Sequence, residues 1–215
     1  MKQLLKKEFL LSVHPASYLF LLLSPMLLIP NYPYYVVFFY TSLGVFFTCL
    51  NGRENNDVFY SAMLPIAKRD IVKARFVSTI LMEAAQFLTA VPFAVIRQKM
   101  PIPGNQAGMD ANIALFGLSL AMMGLFNLLF FCLYYASITK VGKAFGIASF
   151  GIALYMLAAE TCDHVVPFFR DCLDTPDPQF LAEKLTVLLF GLLCFFLCTA
   201  TAYRKSVRSF GALDL

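Results

Sequence analysis

Long apolar runs separated by short polar breaks dominate the pattern of this chain. The runs do not alternate apolar and polar residues as the strands of membrane barrels do, so they predict α-helices. A helix needs about 20 residues to cross the hydrocarbon core of a bilayer, and the first two runs reach this length only with flanking residues. The pattern predicts an all-α integral membrane protein, a single transmembrane domain over residues 1–215. Its six predicted spans cover residues 16–30, 34–50, 71–96, 113–138, 144–159 and 180–203.

The composition agrees with the pattern. The chain is 60% hydrophobic and 14% charged, whereas soluble domains are about 45–50% apolar and about 25% charged. A soluble protein of 215 residues could not bury this much apolar surface, so the excess must face lipid. The mean hydropathy of +0.72 supports the same conclusion.

The distribution of basic residues predicts the orientation. With the N-terminus inside, 13 of the 17 Lys and Arg residues fall on the cytoplasmic side and four fall outside. This bias predicts a multi-pass protein of the plasma membrane with both termini in the cytoplasm. The net charge of +4 follows from the topology, and we do not interpret it as a signal for nucleic acid.

The N-terminal segment, residues 1–14, has amphipathic character. Three lysines share one side of a helix and apolar residues share the other, which favours a helix lying in the membrane interface. The alternative is that this segment simply begins the first span. The three lysines are Lys2, Lys6 and Lys7.

The loop at residues 52–70 is the longest polar interruption in the first half of the chain. It contains a short apolar centre from Met63 to Ile66. Because Pro65 disfavours helical geometry at Leu64, the sequence predicts a short helix over 57–63, a break at Pro65 and a new helix near Lys68. The polar loop and its apolar centre suit docking to a soluble partner; the alternative is a solvated segment that only sets topology.

Three polar residues lie inside predicted spans. Glu83 and Gln86 fall in the third span and Asn127 in the fourth. Because a carboxylate in hydrocarbon is costly, these side chains are candidates for a polar seam or translocation path. The alternatives are that Glu83 is protonated, is hydrogen-bonded within the bundle, or lies nearer the headgroups.

The loop at residues 160–179 is predicted to lie outside the cell and to contain a re-entrant or interfacial helix. Cys162 and Cys172 both fall in it, so a disulfide between them is a candidate in an oxidising exterior. The six cysteines show no CxxC spacing and there are only two histidines, so the sequence predicts no metal site.

Several catalytic motifs are absent. The sequence contains no GxxxxGK[ST], HExxH or GxSxG, so it does not predict an ATPase, metalloprotease or serine hydrolase. We therefore predict that the chain is not an enzyme and has no catalytic residue. A secondary transporter remains an alternative at this point, with Glu83 as the only full charge deep within a span.

The loop at 52–70 resembles that of small six-span ABC-2 type permeases, including permeases of the phenol-soluble modulin exporter and related antimicrobial-peptide exporters. In that family a polar, acidic segment precedes a Leu-Pro pair, basic residues and then Ile-Val entering the third span. This chain has Ala62 and Met63 where the family more often has Ser directly before Leu-Pro. The corresponding residues are Glu54-Asn55-Asn56, Ser61-Ala62-Met63-Leu64-Pro65, Lys68-Arg69 and Ile71-Val72-Lys73-Ala74-Arg75.

The resemblance implies that this loop forms a coupling helix seated in a cleft of an ATP-binding subunit. It also implies two permease chains, identical or different, and two ATPase chains, with ATP and Mg on the ATPase and no cofactor in this chain. The loop before the sixth span would act near an outer gate. The implied docking residues are Glu54, Asn55, Asp57, Met63, Leu64, Pro65, Lys68 and Arg69, and the gate candidates are Val165, Pro167, Phe168 and Phe169.

The function expected from these observations is that of the membrane-spanning permease of an ATP-driven ABC exporter. Its expected substrates are amphipathic or antimicrobial-type peptides, or other hydrophobic solutes, leaving a bacterial cell. A separate nucleotide-binding subunit would hydrolyse the ATP. The alternatives are a secondary transporter or small channel without an ATPase, and a membrane-anchoring or regulatory subunit without a transport path.

Overall fold

The computed structural model describes residues 2–101 and 104–213, and this part of the chain is helical and contains no strand. Five helices are long and apolar enough to cross a membrane, and a bent N-terminal pair allows a sixth crossing. The predicted all-α membrane class is confirmed. The elements are α1 (Lys2–Lys7) with a π-helical turn (Glu8–Ser12), α2 (Pro15–Leu21) with a 3-10 turn (Ser24–Leu28), α3 (Tyr35–Glu54), α4 (Asp57–Met63), α5 (Lys68–Lys99), α6 (Ile113–Ala136), α7 (Val141–Val165), a π-helical turn (Phe169–Leu173) and α8 (Leu181–Gly211).

The N-terminal segment bends by 89° between residues 2–12 and residues 15–28. The second arm then runs along α3 and α5. Ser17 Oγ donates to the carbonyl of Gly44 at 2.9 Å, and Ser24 Oγ lies 2.9 Å from Thr89 Oγ1. At Pro25 the segment changes from α-helix to 3-10 helix, because proline cannot donate an interior helical hydrogen bond.

The closest helix pair is formed by α6 and α8. A Cβ on Gly191 would lie 1.9 Å from the Gly117 carbonyl oxygen, so only glycine allows the two backbones to approach this closely. The sequence also contains a Gly142-xxx-Gly146 motif, which lies in α7. A Cβ on Gly142 or Gly146 would meet nothing within 4 Å, so in this chain neither glycine is used for helix packing.

The two ends of the bundle differ in charge. We call one the basic end: it carries α1, the segment from α3 to α5, the α6–α7 turn and the C-terminal end of α8. Contacts tie these parts together, since Arg53 Nη1 donates to the Thr139 carbonyl at 3.4 Å and Lys68 Nζ donates to the Leu213 carbonyl at 2.6 Å. The opposite end, which we call the acidic end, carries residues 29–34, 104–112 and 166–180.

Side chains lock the loops of the acidic end to one another. Asn112 caps α6 by accepting from the Leu115 amide at 3.1 Å and donates to the Leu173 carbonyl at 2.7 Å. Lys184 is fully buried and donates to Asp177 Oδ1 at 3.0 Å and to the Thr175 carbonyl at 2.5 Å. The loop before α6 and the loop before α8 therefore form one cap over the bundle.

Candidate docking site

The segment between α3 and α5 is a short helix held between two breaks. Asn56 has φ 51° and ψ 27°, a left-handed conformation that asparagine tolerates better than most residues, and α4 begins directly after it. Leu64 is extended at φ −75° and ψ 154° because Pro65 follows it, and α5 begins at Lys68. The predicted helix, break and second helix are confirmed at these residues.

One face of α4 is buried and the other is open. Val58 and Ser61 are buried against the bundle. Tyr60, Met63 and Leu64 are 66%, 81% and 53% exposed and form an apolar tip beyond the end of the bundle. We call these three residues the apolar tip. Exposed apolar residues grouped at one place are typical of an interaction surface.

A buried ion pair anchors the other face of α4. The Arg75 side chain, on α5, is only 4% exposed, and its Nη2 lies 2.9 Å from Asp57 Oδ2 at the start of α4. Its Nε lies 2.6 Å from Glu8 Oε2, in the π-helical turn after α1. Arg75 therefore joins three segments that lie far apart in the sequence.

Lys7 completes this cluster. Its ammonium group forms an ion pair with Asp57 and donates to Ser61 Oγ at 2.8 Å. Lys7, Glu8, Asp57 and Arg75 thus place two cations against two carboxylates, and we call them the ion-pair cluster. Removal of one member would leave a buried charge without compensation, which typically costs about 3–5 kcal/mol. The N-terminal segment, α4 and α5 are therefore expected to move as one unit.

A groove of about 890 Å³ lies between α1 and the apolar tip. Its walls combine apolar side chains from both elements with polar groups of α1 and of the start of α5. A groove of this size beside an exposed apolar tip can receive a side chain or a helix end from another protein. The lining residues include Gln3, Leu4, Leu11, Tyr60, Leu64, Pro65, Ile66 and Asp70.

The charged residues predicted for docking flank the apolar tip. Glu54 is exposed and pairs with its neighbour Arg53, and the Asn55 side chain donates to Asn51 Oδ1 at 2.9 Å. Lys68 reaches the end of α8 through the Leu213 carbonyl, and Arg69 Nε donates to the Tyr203 hydroxyl at 3.3 Å. The two basic residues therefore also connect the docking segment to α8.

The comparisons with known proteins identify the family. A sequence model of the family described as ABC-2 family transporter protein matches residues 3–210. The chain belongs to the ABC-2 transporter family. No curated protein and no solved structure matches the chain. The match covers nearly the whole chain and does not single out the phenol-soluble modulin and antimicrobial-peptide exporters within the family.

Membership of the ABC-2 family makes the chain the membrane-spanning permease subunit of an ABC transporter. In such transporters ATP is hydrolysed by a separate subunit, so the family implies an ATP-binding partner. The segment with the apolar tip is the part of this permease that the sequence predicted to contact that partner.

The polar residues predicted inside the spans of this ABC-2 permease are buried between its own helices. Asn127 Nδ2, on α6, donates to Glu83 Oε2 on α5 and to Thr199 Oγ1 on α8, each at 3.2 Å. Gln86 Nε2, one turn beyond Glu83, donates to Ser24 Oγ at 3.1 Å. This arrangement matches the alternative in which Glu83 is hydrogen-bonded within the bundle, and we call Glu83, Gln86 and Asn127 the polar layer.

The polar layer has unused hydrogen-bonding capacity. Glu83 Oε1, Gln86 Oε1 and Asn127 Oδ1 are buried and have no hydrogen-bond partner among the described residues. An unsatisfied buried acceptor is costly, so such groups either strain the packing or serve a ligand or a second conformation.

The loop predicted to form an outer gate lies at the acidic end. Val165, the last residue of α7, is 70% exposed, and Pro167 and Phe168 are exposed beside it. Phe169 begins a π-helical turn of five residues, which is the short helix that this loop forms. All six cysteines are free thiols, so no disulfide joins Cys162 to Cys172 in this structure.

The sequence reasoning missed the buried charges. It treated Lys7 as an interfacial lysine and counted Lys184 among the four outer basic residues, it used Arg75 only in the charge count and the family resemblance, and it gave no role to Glu8. One signal was available: Glu8 is the only acidic residue before Glu54, and a lone acid in so apolar a part of the chain indicates a buried partner. The identity of that partner, 67 positions away, was not readable from local sequence.

The Asp174 carboxyl group joins two loops at the acidic end and is partly buried. Asp174 Oδ1 accepts from the Asp110 amide at 2.6 Å, which joins the loop before α8 to the loop before α6. Burial raises the pKa of Asp174 to about 6, although the hydrogen bond from Asp110 acts in the opposite direction. Neighbouring Asp163 and Asp110 also favour the protonated form, whereas Lys184 opposes it.

Proposed function

We propose that the chain is the permease of an ATP-driven exporter and that the apolar tip of α4 docks into its ATP-binding partner. One observation carries the proposal: an exposed apolar tip stands at a helix break and is anchored from behind by a buried ion-pair cluster. Neither feature serves the stability of the bundle alone, because an apolar tip in water is unfavourable and a buried ion pair contributes little net stability.

Docking would bury the apolar tip in a cleft of the ATPase. Burial of a side chain such as Met or Leu contributes about 1.5–3 kcal/mol. The exposed charges around the tip, Glu54 and Arg69, would then fix the register by complementarity with the partner. The groove between α1 and the tip offers room for a projecting side chain of the same partner.

The ion-pair cluster would transmit the movement. Asp57 lies at the start of α4, and Arg75 lies two turns into α5. A displacement of α4 therefore pulls on α5 through a charged contact of 2.9 Å as well as through the connecting backbone. Glu8 also pairs with Arg75 and so connects the N-terminal segment to α5. Closure of the ATPases would therefore move α1, α4 and α5 together.

The working transporter would contain two such permeases, identical or different, and two ATPases that hold the ATP and Mg. We place the chain in the plasma membrane of a bacterial cell with both termini and the basic end in the cytoplasm. The bias of Lys and Arg towards that end supports this orientation.

The substrates that fit this architecture are amphipathic or antimicrobial-type peptides or other hydrophobic solutes. The polar layer, with its unused acceptors, is the candidate translocation surface, and Val165, Pro167, Phe168 and Phe169 are the candidate outer gate. The substitution Glu83→Gln is expected to lower ATP-dependent uptake into inverted vesicles while leaving assembly intact. Unchanged uptake would remove the polar layer from the path.

The proposal is tested by co-purification of the permease with a tagged candidate ATPase. We expect Met63→Asp to abolish co-purification, because a charge would have to enter the apolar cleft, and to leave the fold unchanged, because Met63 is 81% exposed and does not pack in the bundle. The matched control is Val165→Asp, another exposed apolar residue, at the opposite end. Equal recovery of the ATPase with both variants would contradict docking at α4.

A further inference from the structure

The turn between α6 and α7 at the basic end forms a small groove with two cations at its mouth. It has a volume of about 210 Å³ and is lined by both helices. Lys140 and Lys143 are exposed, and within residues 2–101 and 104–213 no carboxylate lies within 4 Å of either ammonium group. The lining residues are Leu133, Ala136, Ser137, Lys140, Lys143, Ala144 and Ile147.

An apolar track continues from this groove along α7. Ile147, Phe150 and Leu154 are exposed and follow Lys143 at helical spacing, so they share one face with it. Gly142 and Gly146 lie on the open side of this helix and leave free space there. From Lys143 to Leu154 the track is roughly 16 Å long, which is half of a hydrocarbon core of about 30 Å.

We propose that this groove and track bind one anionic phospholipid, such as phosphatidylglycerol. The phosphate would lie between Lys140, Lys143 and the Ser137 hydroxyl, and an acyl chain would follow the track into one leaflet. Two unpaired cations above a leaflet-long apolar surface match a ligand that is an anion at one end and a hydrocarbon at the other.

Two further features favour an anion at the mouth. No side chain caps α7, and its first turn contains no acidic residue, so the free amides at the start of this long helix add to the positive potential of the lysines. The Arg53 side chain reaches the same turn through the Thr139 carbonyl. A zwitterionic headgroup would gain less from this field than an anionic one.

A second copy of the chain fits the track less well. Two copies related by a two-fold axis along the membrane normal would present the same face of α7 to each other, which brings Lys143 towards its own copy. Like charges at the edge of such an interface oppose association, whereas a phosphate between them neutralises the charge.

The test is native mass spectrometry of the full chain purified in detergent from vesicles of equal phosphatidylglycerol and phosphatidylcholine. We expect the chain to retain phosphatidylglycerol over phosphatidylcholine by about 30-fold, since two lysines near a membrane surface each contribute about 1 kcal/mol towards an anionic lipid and every 1.4 kcal/mol is a factor of ten. The double substitution Lys140→Gln with Lys143→Gln is expected to remove this preference. The matched control, Arg204→Gln with Lys205→Gln, removes two exposed charges from the same end and is expected to keep it.

Two further arms separate the lipid from other occupants. Gly146→Leu narrows the track without changing any charge, and it is expected to lower lipid retention. Millimolar inorganic phosphate is expected not to displace the lipid. The proposal is overturned if both lipids are retained equally, if the double lysine variant keeps its lipid, if phosphate alone displaces it, or if Gly146→Leu dissolves a dimer and leaves lipid retention unchanged.

Discussion

The basic end and the acidic end each bury charged side chains but use them differently. At the basic end, side chains pair with side chains across three segments, as Arg75 does with Glu8 and Asp57, and the apolar tip remains exposed. At the acidic end, side chains mostly bind backbone, as Lys184 does with the Thr175 carbonyl and Asn112 with the Leu173 carbonyl. The first arrangement links elements that can move together, and the second fixes loops in one conformation.

This difference supports the proposal that the basic end contacts the partner. Backbone contacts at the acidic end satisfy loop carbonyls that would otherwise be buried without a partner, so the charge there stabilises the fold. In the ion-pair cluster the charged side chains pair with one another, and these pairs do not bind the backbone of any loop. Its position directly behind the apolar tip gives it a role when a force acts on α4.

The largest expected effect comes from Arg75→Met. The substitution leaves Glu8 and Asp57 buried with only Lys7 as a counter-ion, so we expect a loss of about 3–5 kcal/mol in unfolding free energy. Thermal unfolding in detergent measures it. The control is Arg208→Met, an exposed arginine near the end of α8. Equal melting temperatures for the two variants would show that the ion-pair cluster does not anchor α4.

A smaller loss is expected from Lys184→Met at the acidic end. Asp177 keeps hydrogen bonds from the Ile113 amide at 3.2 Å and from Gln98 Nε2 at 3.0 Å, so only part of its compensation is lost. We expect about 2 kcal/mol of destabilisation. The variant should still co-purify with the ATPase. A variant that lost the ATPase while keeping its melting temperature would contradict the different roles of the two ends.

The smallest effect is a pH dependence carried by Asp174, because solvent screens the interactions of this partly exposed carboxyl group. Its pKa is raised to about 6 in the fold against about 3.9 in an unfolded chain. The folded state therefore binds more protons between these values, and stability falls as pH rises from about 4 to about 6, then levels. We expect Asp174→Asn to flatten this part of the melting profile. The difference in melting temperature between wild type and variant at each pH reports Asp174 alone, because the other titrating groups are the same in both. Parallel melting profiles would show that Asp174 does not carry the pH dependence.

The sequence predicted local features of the docking site well. Pro65 breaks the helix by a rule that acts over a few residues, and α4 runs from Asp57 to Met63 as predicted. The helical membrane class followed from the long apolar runs for the same reason. Exposure of the apolar tip was also implied, because its residues lie outside any span.

The features that the sequence did not predict depend on which helix faces pack against each other in the fold. Arg75 and Glu8 pair across 67 positions, and only the 89° bend of the N-terminal segment brings them together. A small-xxx-small motif indicates that a close approach is possible but not which helix uses it; Gly117 and Gly191 meet, whereas Gly146 faces open space. Lys184 was counted as an outer charge because the sequence does not show that the loop with its carbonyl acceptor, Thr175, folds back over it.

Photo-crosslinking in native membranes tests the central claim most directly. A photoreactive amino acid at position 63 is compared with the same residue at position 165, both exposed in the isolated chain. We expect a crosslink to an ATP-binding subunit from position 63 and none from position 165. A crosslink to that subunit from position 165, or its absence from position 63 in membranes that contain the assembled transporter, would contradict docking through α4.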